Sequence, residues 1–219
     1  MKKRAYDRLY NRVVKRIIDI CITGIALVFL WPFFILISVA IVLEDGLPVF
    51  YKADRGGYKG KNFQICKFRS MVKDADKIGG GTTALHDPRI TKIGNFLRKT
   101  KLDELPQIVQ VFLGKMSLIG PRPELLRYTE QYEGREKDIL QVRPGITDFS
   151  SIEFINLDEI VGGENADEMY EKYVLKRKNE LRIKYAYNVS FLTDVYILFK
   201  TLMAVFDKAT GFLFRNEHQ

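Results

Sequence analysis

Two adjacent carboxylates, Asp103 and Glu104, stand in the stretch Leu102-Asp103-Glu104-Leu105-Pro106-Gln107. An apolar run follows (Ile108, Val109, Val111, Phe112, Leu113) and stops at Gly114. Pro106 has no N–H and fits only the first turn of a helix, so the run predicts a short helix beginning at about Leu102 or Asp103. Both acids then fall at its cap or in its first turn. Unpaired backbone N–H groups and the helix dipole favour negative charge there, so Asp103 is expected to be ionised, and a bound phosphate would find donors nearby. Capping alone puts acids at many helix starts. The neighbours set this pair apart. Arg98 and Lys99 precede it, and Gly120-Pro121-Arg122-Pro123 follows it. Prolines on both sides of Arg122 stiffen the backbone that carries a guanidinium, a group that pairs with phosphate through two parallel hydrogen bonds. Val142-Arg143-Pro144-Gly145 is a second basic, proline-stiffened turn. Lys67 and Arg69 alternate with Phe68, which on a strand puts both cations on one face. Solvated strand faces and ordinary turns carry such residues too.

The elements that must position these groups are short. Val49-Phe50-Tyr51 and Phe63-Gln64-Ile65-Cys66 predict a hairpin, joined by the glycine-rich, basic segment 55–61. Residues 73–87 predict a loop or frayed helix. Its Gly79-Gly80-Gly81 lacks the Gly-Lys-Ser/Thr of a phosphate loop, so it signals only flexibility, as a lid or as idle slack. Ile90 to Lys99 predicts a helix with Ile90, Ile93 and Leu97 on one face. Glu124 to Gln141 predicts a polar helix. Ile152 to Arg182 predicts surface helices divided at Gly162-Gly163. Ser190 to Phe206 predicts a helix lying in a membrane plane or buried in a core.

The chain has 219 residues, 35 basic and 27 acidic, for a net charge of +8. That balance suits an anionic partner: a phosphorylated substrate, an anionic membrane surface or nucleic acid. Zinc-finger spacing and basic–aromatic alternation are both missing, which argues against nucleic acid. Cys21 and Cys66 give no disulfide framework, and His86 and His218 form no metal pair. Residues 1–16 are strongly basic, and Ile17 to Leu43 is apolar apart from Asp19 and small polar residues. As a helix this run measures roughly 40 Å, against about 30 Å for a bilayer core. It is too long for a cleaved signal peptide. The positive-inside rule keeps residues 1–16 in the cytoplasm, and a full crossing would export the rest. Yet Lys52, Arg55, Lys59, Lys61, Lys67 and Arg69 ask for the same side. Pro32, beside Trp31, favours a kink near the middle. Two readings stand on the residues: a spanning anchor, or a re-entrant helix–break–helix that turns at Trp31-Pro32 and returns. Either divides the chain into residues 1–45 and a domain of residues 46–219 folded against them.

Seven stretches together resemble the bacterial sugar transferases, the monotopic polyprenol-phosphate phosphoglycosyl transferases in their small catalytic form. They are Lys15-Arg16-Ile17-Ile18-Asp19, Lys67-Phe68-Arg69-Ser70-Met71, the run from Asp87 to Gly94, Phe96 to Thr100, Leu102 to Gln107, Met116 to Pro123 and Arg143 to Thr147. The resemblance implies an α+β, mainly helical fold. It comprises a re-entrant membrane helix–break–helix, a small β-hairpin and a membrane-associated catalytic domain with amphipathic interfacial helices. It implies that sugar-1-phosphate passes from a UDP-sugar to polyprenyl (undecaprenyl) phosphate, with release of UMP, to begin surface-glycan synthesis. It implies Mg2+, with Asp103 as the nucleophile that forms a covalent phosphosugar–aspartyl intermediate. Glu104 is then the metal-side carboxylate, with Asp103 a second ligand. Lys67, Arg69, Arg98, Arg122 and Arg143 are the phosphate-binding candidates. The implied setting is the cytoplasmic face of a bacterial inner membrane. The partners are the donor, the acceptor lipid and the bilayer, with room for downstream glycosyltransferases and a homodimer. The chain departs from the family at Trp31, where a small hydroxyl residue often precedes the proline, at Asp148-Phe149-Ser150-Ser151, and in a longer segment from about 152 to 184. Two other functions fit the same residues: a membrane-bound glycosyltransferase that releases UDP, and a non-enzymatic, membrane-anchored binding module.

Overall fold

The computed structural model describes residues 4–78, 83, 87–162 and 165–215. Gly79-Gly80-Gly81, His86, Gly163 and His218 lie outside the described residues. The first large element is α1 (Lys15–Asp45), with Pro32 inside it. The two helices expected on either side of Trp31-Pro32 are therefore one. A proline removes a single backbone hydrogen bond, and the turns on either side of it continue. The helical segment Tyr10–Asp45 is long and apolar enough to cross a membrane. Its middle is bare: Ile25, Val28, Phe29, Trp31, Phe33, Ile35 and Leu36 are all exposed. Its two ends are not. Lys15, Asp19 and Thr23 are buried at one end and Ile37 and Ile41 at the other.

The antiparallel hairpin β1 (Phe50–Arg55) and β2 (Phe63–Phe68) pairs Phe50 with Phe68 and Arg55 with Phe63. After the short α2 (Ala75–Ile78) comes α3 (Lys92–Lys99), where predicted. Thr91 caps it, its hydroxyl accepting the Gly94 N–H at 2.9 Å. The Glu44 carboxylate, from the end of α1, accepts the N–H groups of Lys92 and Ile93 at 2.8 and 3.0 Å. Gly94 lies against the backbone of Ser70 so closely that a Cβ there would stand 1.9 Å from the Ser70 carbonyl oxygen. Then come α4 (Pro106–Phe112) and β3 (Ser117–Ile119). The last carbonyls of α4 are capped from α1, since the Arg16 guanidinium donates to the oxygens of Val111 and Phe112 at 2.5 and 2.8 Å.

The polar helix expected over 124–141 is reduced to α5 (Leu126–Thr129) and a 3-10 segment, Gly134–Gln141. The strand β4 (Gly145–Thr147) pairs in parallel with β3, Ser117 opposite Gly145 and Ile119 opposite Thr147. Neither strand was predicted, because three residues are too short to display an alternation. Beyond them lie α6 (Phe149–Glu153), α7 (Leu157–Val161), α8 (Ala166–Tyr170), α9 (Lys176–Asn188) and α10 (Phe191–Arg215). The expectation that residues 152–182 lie on the surface fails for α9, which buries Lys178, Asn179, Leu181 and Arg182.

Two of the four core clusters among the described residues bear on the site. One gathers Ile119, Val142, Tyr185, Ala186, Val189 and Ile197. The other joins Ile37 and Ile41 of α1 to Phe68 and Leu97, with Ile93, Leu102 and Leu105 packed on it. A buried polar knot ties the start of α1 to α10. Lys15 pairs with Asp194, which also accepts the hydroxyls of Tyr10 at 2.6 Å and Tyr185 at 2.7 Å. Asp19 accepts the Leu118 N–H of β3 at 3.1 Å. Apart from the buried Asp194 and Ile197, α10 presents an apolar outer face of Leu192, Val195, Tyr196, Phe199, Leu202 and Phe206. It is docked on one side, as a core helix would be, and apolar towards the surroundings on the other.

Candidate active site

The acid pair hangs between α3 and α4. Lys101 takes a left-handed backbone (φ 61°), which reverses the chain. Leu102–Glu104 form a 3-10 turn, and Pro106 opens α4 at its first position. The α-helix therefore starts slightly later than predicted, and the acids occupy the turn before it. Leu102 and Leu105 pack down onto the α1–β2–α3 cluster, which fixes the two carboxylates between them.

The two acids have opposite environments. Glu104 is clamped. Arg122 donates Nη1 to its Oε2 at 2.8 Å and Nη2 to its Oε1, and Lys67 Nζ reaches Oε1 at 3.0 Å. Burial pushes the Glu104 carboxyl up, but the charges of Arg122 and Lys67 outweigh it and hold the group well below its ordinary value. Asp103 is 5% exposed, and its Oδ1 is buried without a hydrogen-bond partner. Burial pushes its carboxyl up. The charges of Lys67, Arg98 and Lys101 pull it back in part, and Glu104 adds to the rise. The expected stabilisation of Asp103 by helix N–H groups is not found, because the tight 3-10 turn separates it from the start of α4. Gln107, four residues on, is fully buried with both side-chain polar atoms unpartnered. Unsatisfied buried polar atoms are rare, and Asp103 and Gln107 hold three of them within five residues of chain.

The Pro121-Arg122-Pro123 loop is held from behind. The Gly120 N–H donates to the Thr147 carbonyl at 2.9 Å and the Gly145 N–H to the Pro121 carbonyl at 3.0 Å. A Cβ on Gly145 would stand 2.1 Å from the Gly120 nitrogen, so the two chain segments need glycine where they meet. Arg122 also donates Nη1 to the Ile146 carbonyl at 2.8 Å and its backbone N–H to Asp148 Oδ2 at 3.1 Å. Asp148 is completely buried. Its Oδ1 accepts the Ser151 N–H at 2.7 Å and the hydroxyls of Ser150 and Ser151 at 2.7 and 2.9 Å. Sequence reasoning missed Asp148 as a support of the site. The signal was there, an aspartate at the N-cap ahead of two serines.

Of the five predicted phosphate-binding cations, the structure brings Lys67, Arg98 and Arg122 to the acid pair. Lys101 joins them and was not predicted. Arg69 goes elsewhere, because β2 ends at Phe68. Its Nη2 donates to the carbonyls of Asp45 and Gly46 at 2.8 and 2.7 Å, capping the end of α1. Arg143 lies over the Tyr58 ring, 5.0 Å from its centroid. Trp31 and Pro32 sit on the middle of α1, far along the chain from the acids. Among the described residues, no three His, Cys, Asp or Glu side chains gather as a metal cluster.

Fold and site define a helical domain built onto an apolar helix, with one clamped carboxylate and one with a buried unpartnered oxygen, among cations. The chain belongs to the bacterial sugar transferase family, whose model matches residues 10–208. It is 36% identical over 200 residues to the UDP-glucose:undecaprenyl-phosphate glucose-1-phosphate transferase of Escherichia coli, covering 90% of this chain and 41% of that protein. The protein of the same description from Xanthomonas campestris is 33% identical over 210 residues, covering 93% of this chain and 41% of its own length. The exopolysaccharide production protein ExoY of Sinorhizobium fredii is 34% identical over 208 residues, 88% of this chain and 85% of ExoY. The chain thus spans about two fifths of the first two relatives and most of the third.

Proposed function

We propose that the protein is a phosphoglycosyl transferase, moving sugar-1-phosphate from a UDP-sugar to a polyprenyl phosphate and releasing UMP. The observation that carries this is the asymmetry of the acid pair: Glu104 locked by Arg122 and Lys67, Asp103 beside it with a buried free oxygen. In the first step Asp103 attacks the β-phosphorus of the donor. A carboxylate–phosphorus bond forms, the bond to the bridging oxygen breaks, and UMP leaves with the electron pair. In the second step an oxygen of the lipid phosphate attacks the same phosphorus and returns the Asp103 carboxylate. Two anionic phosphates must approach one another, and Lys67, Arg98 and Lys101 supply offsetting charge around Asp103. Arg122 aligns Glu104 and is itself fixed by Asp148 and the Ile146 carbonyl. A raised Asp103 carboxyl is a stronger nucleophile once ionised, and a depressed one would be weaker.

The residues fit a magnesium ion through Asp103. Its buried, unpartnered Oδ1 is a hard oxygen donor, while both oxygens of Glu104 are engaged. When bound, magnesium would supply positive charge to the donor diphosphate. The two docked ends of α1 favour a helix that enters and leaves the membrane on one side, since both pack on the same body. With basic flanks on both sides, that body faces the cytoplasm, at the inner membrane of a bacterium. A UDP-releasing glycosyltransferase would have less need for an unsatisfied carboxylate among cations.

The test is nucleotide release by wild type and Asp103→Asn with magnesium, polyprenyl phosphate and a UDP-sugar panel headed by UDP-glucose. UMP that is lost in the variant is the expected result. UDP would replace this reading with ordinary glycosyl transfer. UMP at full rate from the variant would remove Asp103 as the nucleophile. Silence from wild type across the panel would leave a binding module.

A further inference from the structure

Arg143 does not join the acid pair. It stands in a corner with Lys115 and Arg16, at the other end of α4. The register of β3 and β4 brings two of these cations together. Ser117 lies opposite Gly145, and the Ser117 N–H donates to the Pro144 carbonyl at 2.8 Å, so Lys115 and Arg143 enter the strand pair side by side. The Arg16 guanidinium closes the corner. It donates to the Val111 and Phe112 carbonyls, and a Cβ on Gly114, the residue before Lys115, would stand 3.1 Å from its Nη2. Arg143 is near enough for its charge to act on Arg16. Tyr58 extends the row, with Arg143 over its ring at 5.0 Å and Lys59 at 5.3 Å. Among the described residues, Arg16, Lys115 and Arg143 form no ion pair with a carboxylate. Asp19, on the next turn of α1 from Arg16, accepts the Leu118 N–H instead.

Apolar side chains continue the corner in one direction. Phe112 and Leu113, where α4 ends, are exposed. A Cβ on Gly24 would stand 3.4 Å from the Phe112 ring, so that ring lies along α1 two turns beyond Arg16, about 12 Å by helical rise. Ile17 and Ile20, exposed on the turns between, share the face of Gly24. Unpaired cations above exposed apolar side chains match a phosphate carried on acyl chains. Three positive charges without a counter-charge favour a headgroup of net negative charge over a zwitterion. Resting on the reading that α1 lies in a bilayer, and on no step of the reaction, we propose that this corner binds the headgroup of an anionic membrane phospholipid, with an acyl chain against Leu113 and Phe112. The phosphates of the reaction belong to the opposite end of α4, where the acid turn lies, roughly 13 Å from Phe112 by helical rise. A bound headgroup fixes the last turn of α4 at the membrane surface, and with it the height of the acid turn at the start of the same helix.

The experiment titrates the full chain in a neutral detergent with dihexanoyl phosphatidylglycerol and, separately, with dihexanoyl phosphatidylcholine, and follows the melting temperature. Phosphatidylglycerol should raise it saturably and phosphatidylcholine should not. In the double variant Lys115→Gln/Arg143→Gln the apparent dissociation constant for phosphatidylglycerol should rise by about thirtyfold. Equal shifts from the two lipids overturn the proposal, because the charge then decides nothing. A phosphatidylglycerol shift that survives in the double variant overturns it too, because the anion then binds elsewhere on a basic chain. An equal shift from inorganic phosphate at the same concentration overturns the lipid assignment, because the apolar wall then contributes nothing. Should the double variant not fold, Lys115→Gln alone, at an exposed side chain, carries the test with an expected rise of about fivefold, and an unchanged constant overturns the proposal. A chain that stays in solution without detergent and binds vesicles of neither lipid fails the bilayer reading itself, and the proposal with it.

Discussion

Asp103→Asn should abolish turnover and at the same time make the protein more stable. The substitution keeps the side-chain shape and removes the charge. Burial raises the Asp103 carboxyl above its unfolded value of about 3.9, so the folded chain binds that proton more tightly than the unfolded chain does. The favourable contribution of the protonated form is complete below about pH 3.9 and is lost as the pH rises through the raised folded value. At pH 7 the buried oxygen without a partner belongs to a charged group, which costs more than the about 1–3 kcal/mol of a neutral one. The asparagine variant keeps the unpartnered atom but loses the charge, and should melt higher by about 2–4 °C for each kcal/mol so relieved in a chain of this size. The assay is thermal unfolding in one detergent, with chelator, at pH 7 and again near pH 4, where the gap should narrow. UMP formation should fall by at least about 10³-fold. Magnesium then gives a second arm. At about a hundred times its dissociation constant it should add about 2.7 kcal/mol to wild type and nothing to the variant. A variant that melts at or below wild type at pH 7 would refute the reasoning, because it would mean that Lys67, Arg98 and Lys101 more than offset the burial.

Three further outcomes follow from the geometry. Arg122→Lys keeps the charge and loses the fork on Glu104; it should cost about 1–3 kcal/mol in chemical unfolding and about 10²-fold in initial rate, and wild-type values in both would exclude the clamp. Gly94→Ala would place a methyl 1.9 Å from the Ser70 carbonyl oxygen, so about 3 kcal/mol of stability should disappear, and a neutral melting curve would contradict the packing of α3. Lys178 is lowered to about 7 by burial and then by Arg182, against the pull of Glu124. The unfolded chain holds that proton up to about pH 10.4, so wild-type stability should climb between pH 7 and 10. Lys178→Met should be more stable by up to about 5 kcal/mol at pH 7, with the gap closing towards pH 10; parallel pH curves for the two proteins would rule this out.

Much of the hairpin, of α3 and of the acid turn could be read in the sequence because each is signalled locally. Alternation around a glycine-rich turn marks β1 and β2, apolar spacing marks α3, and Pro106 marks the start of α4. What stayed hidden depends on partners distant in the chain. Ile152 to Arg182 reads as surface helices, yet Arg182 turns inward because Glu124 meets it at 2.9 Å, and Tyr170 binds the same carboxylate. Asp19 looks like an intruder in an apolar run until Leu118 offers it an N–H. Lys67 and Arg69 share a face only while the strand lasts, and its end at Phe68 sends them to different partners. The surroundings of Asp103 differ from the expectation for a related reason. A helix start predicts donors, but whether they reach a particular oxygen depends on one residue of register.

The cap that Arg16 places on α4 has a consequence for how the chain is made. The residues of α1 leave the ribosome before every strand and helix that packs on them. Until they are in place, α4 lacks the donor for its last carbonyls, Leu97 and Phe68 lack Ile37 and Ile41, and Asp194 lacks Lys15. The apolar helix thus serves as the template on which the later sequence condenses. Docking on α1 becomes a condition of reaching the native state, and a chain started at residue 46 should emerge with its acid turn unsupported.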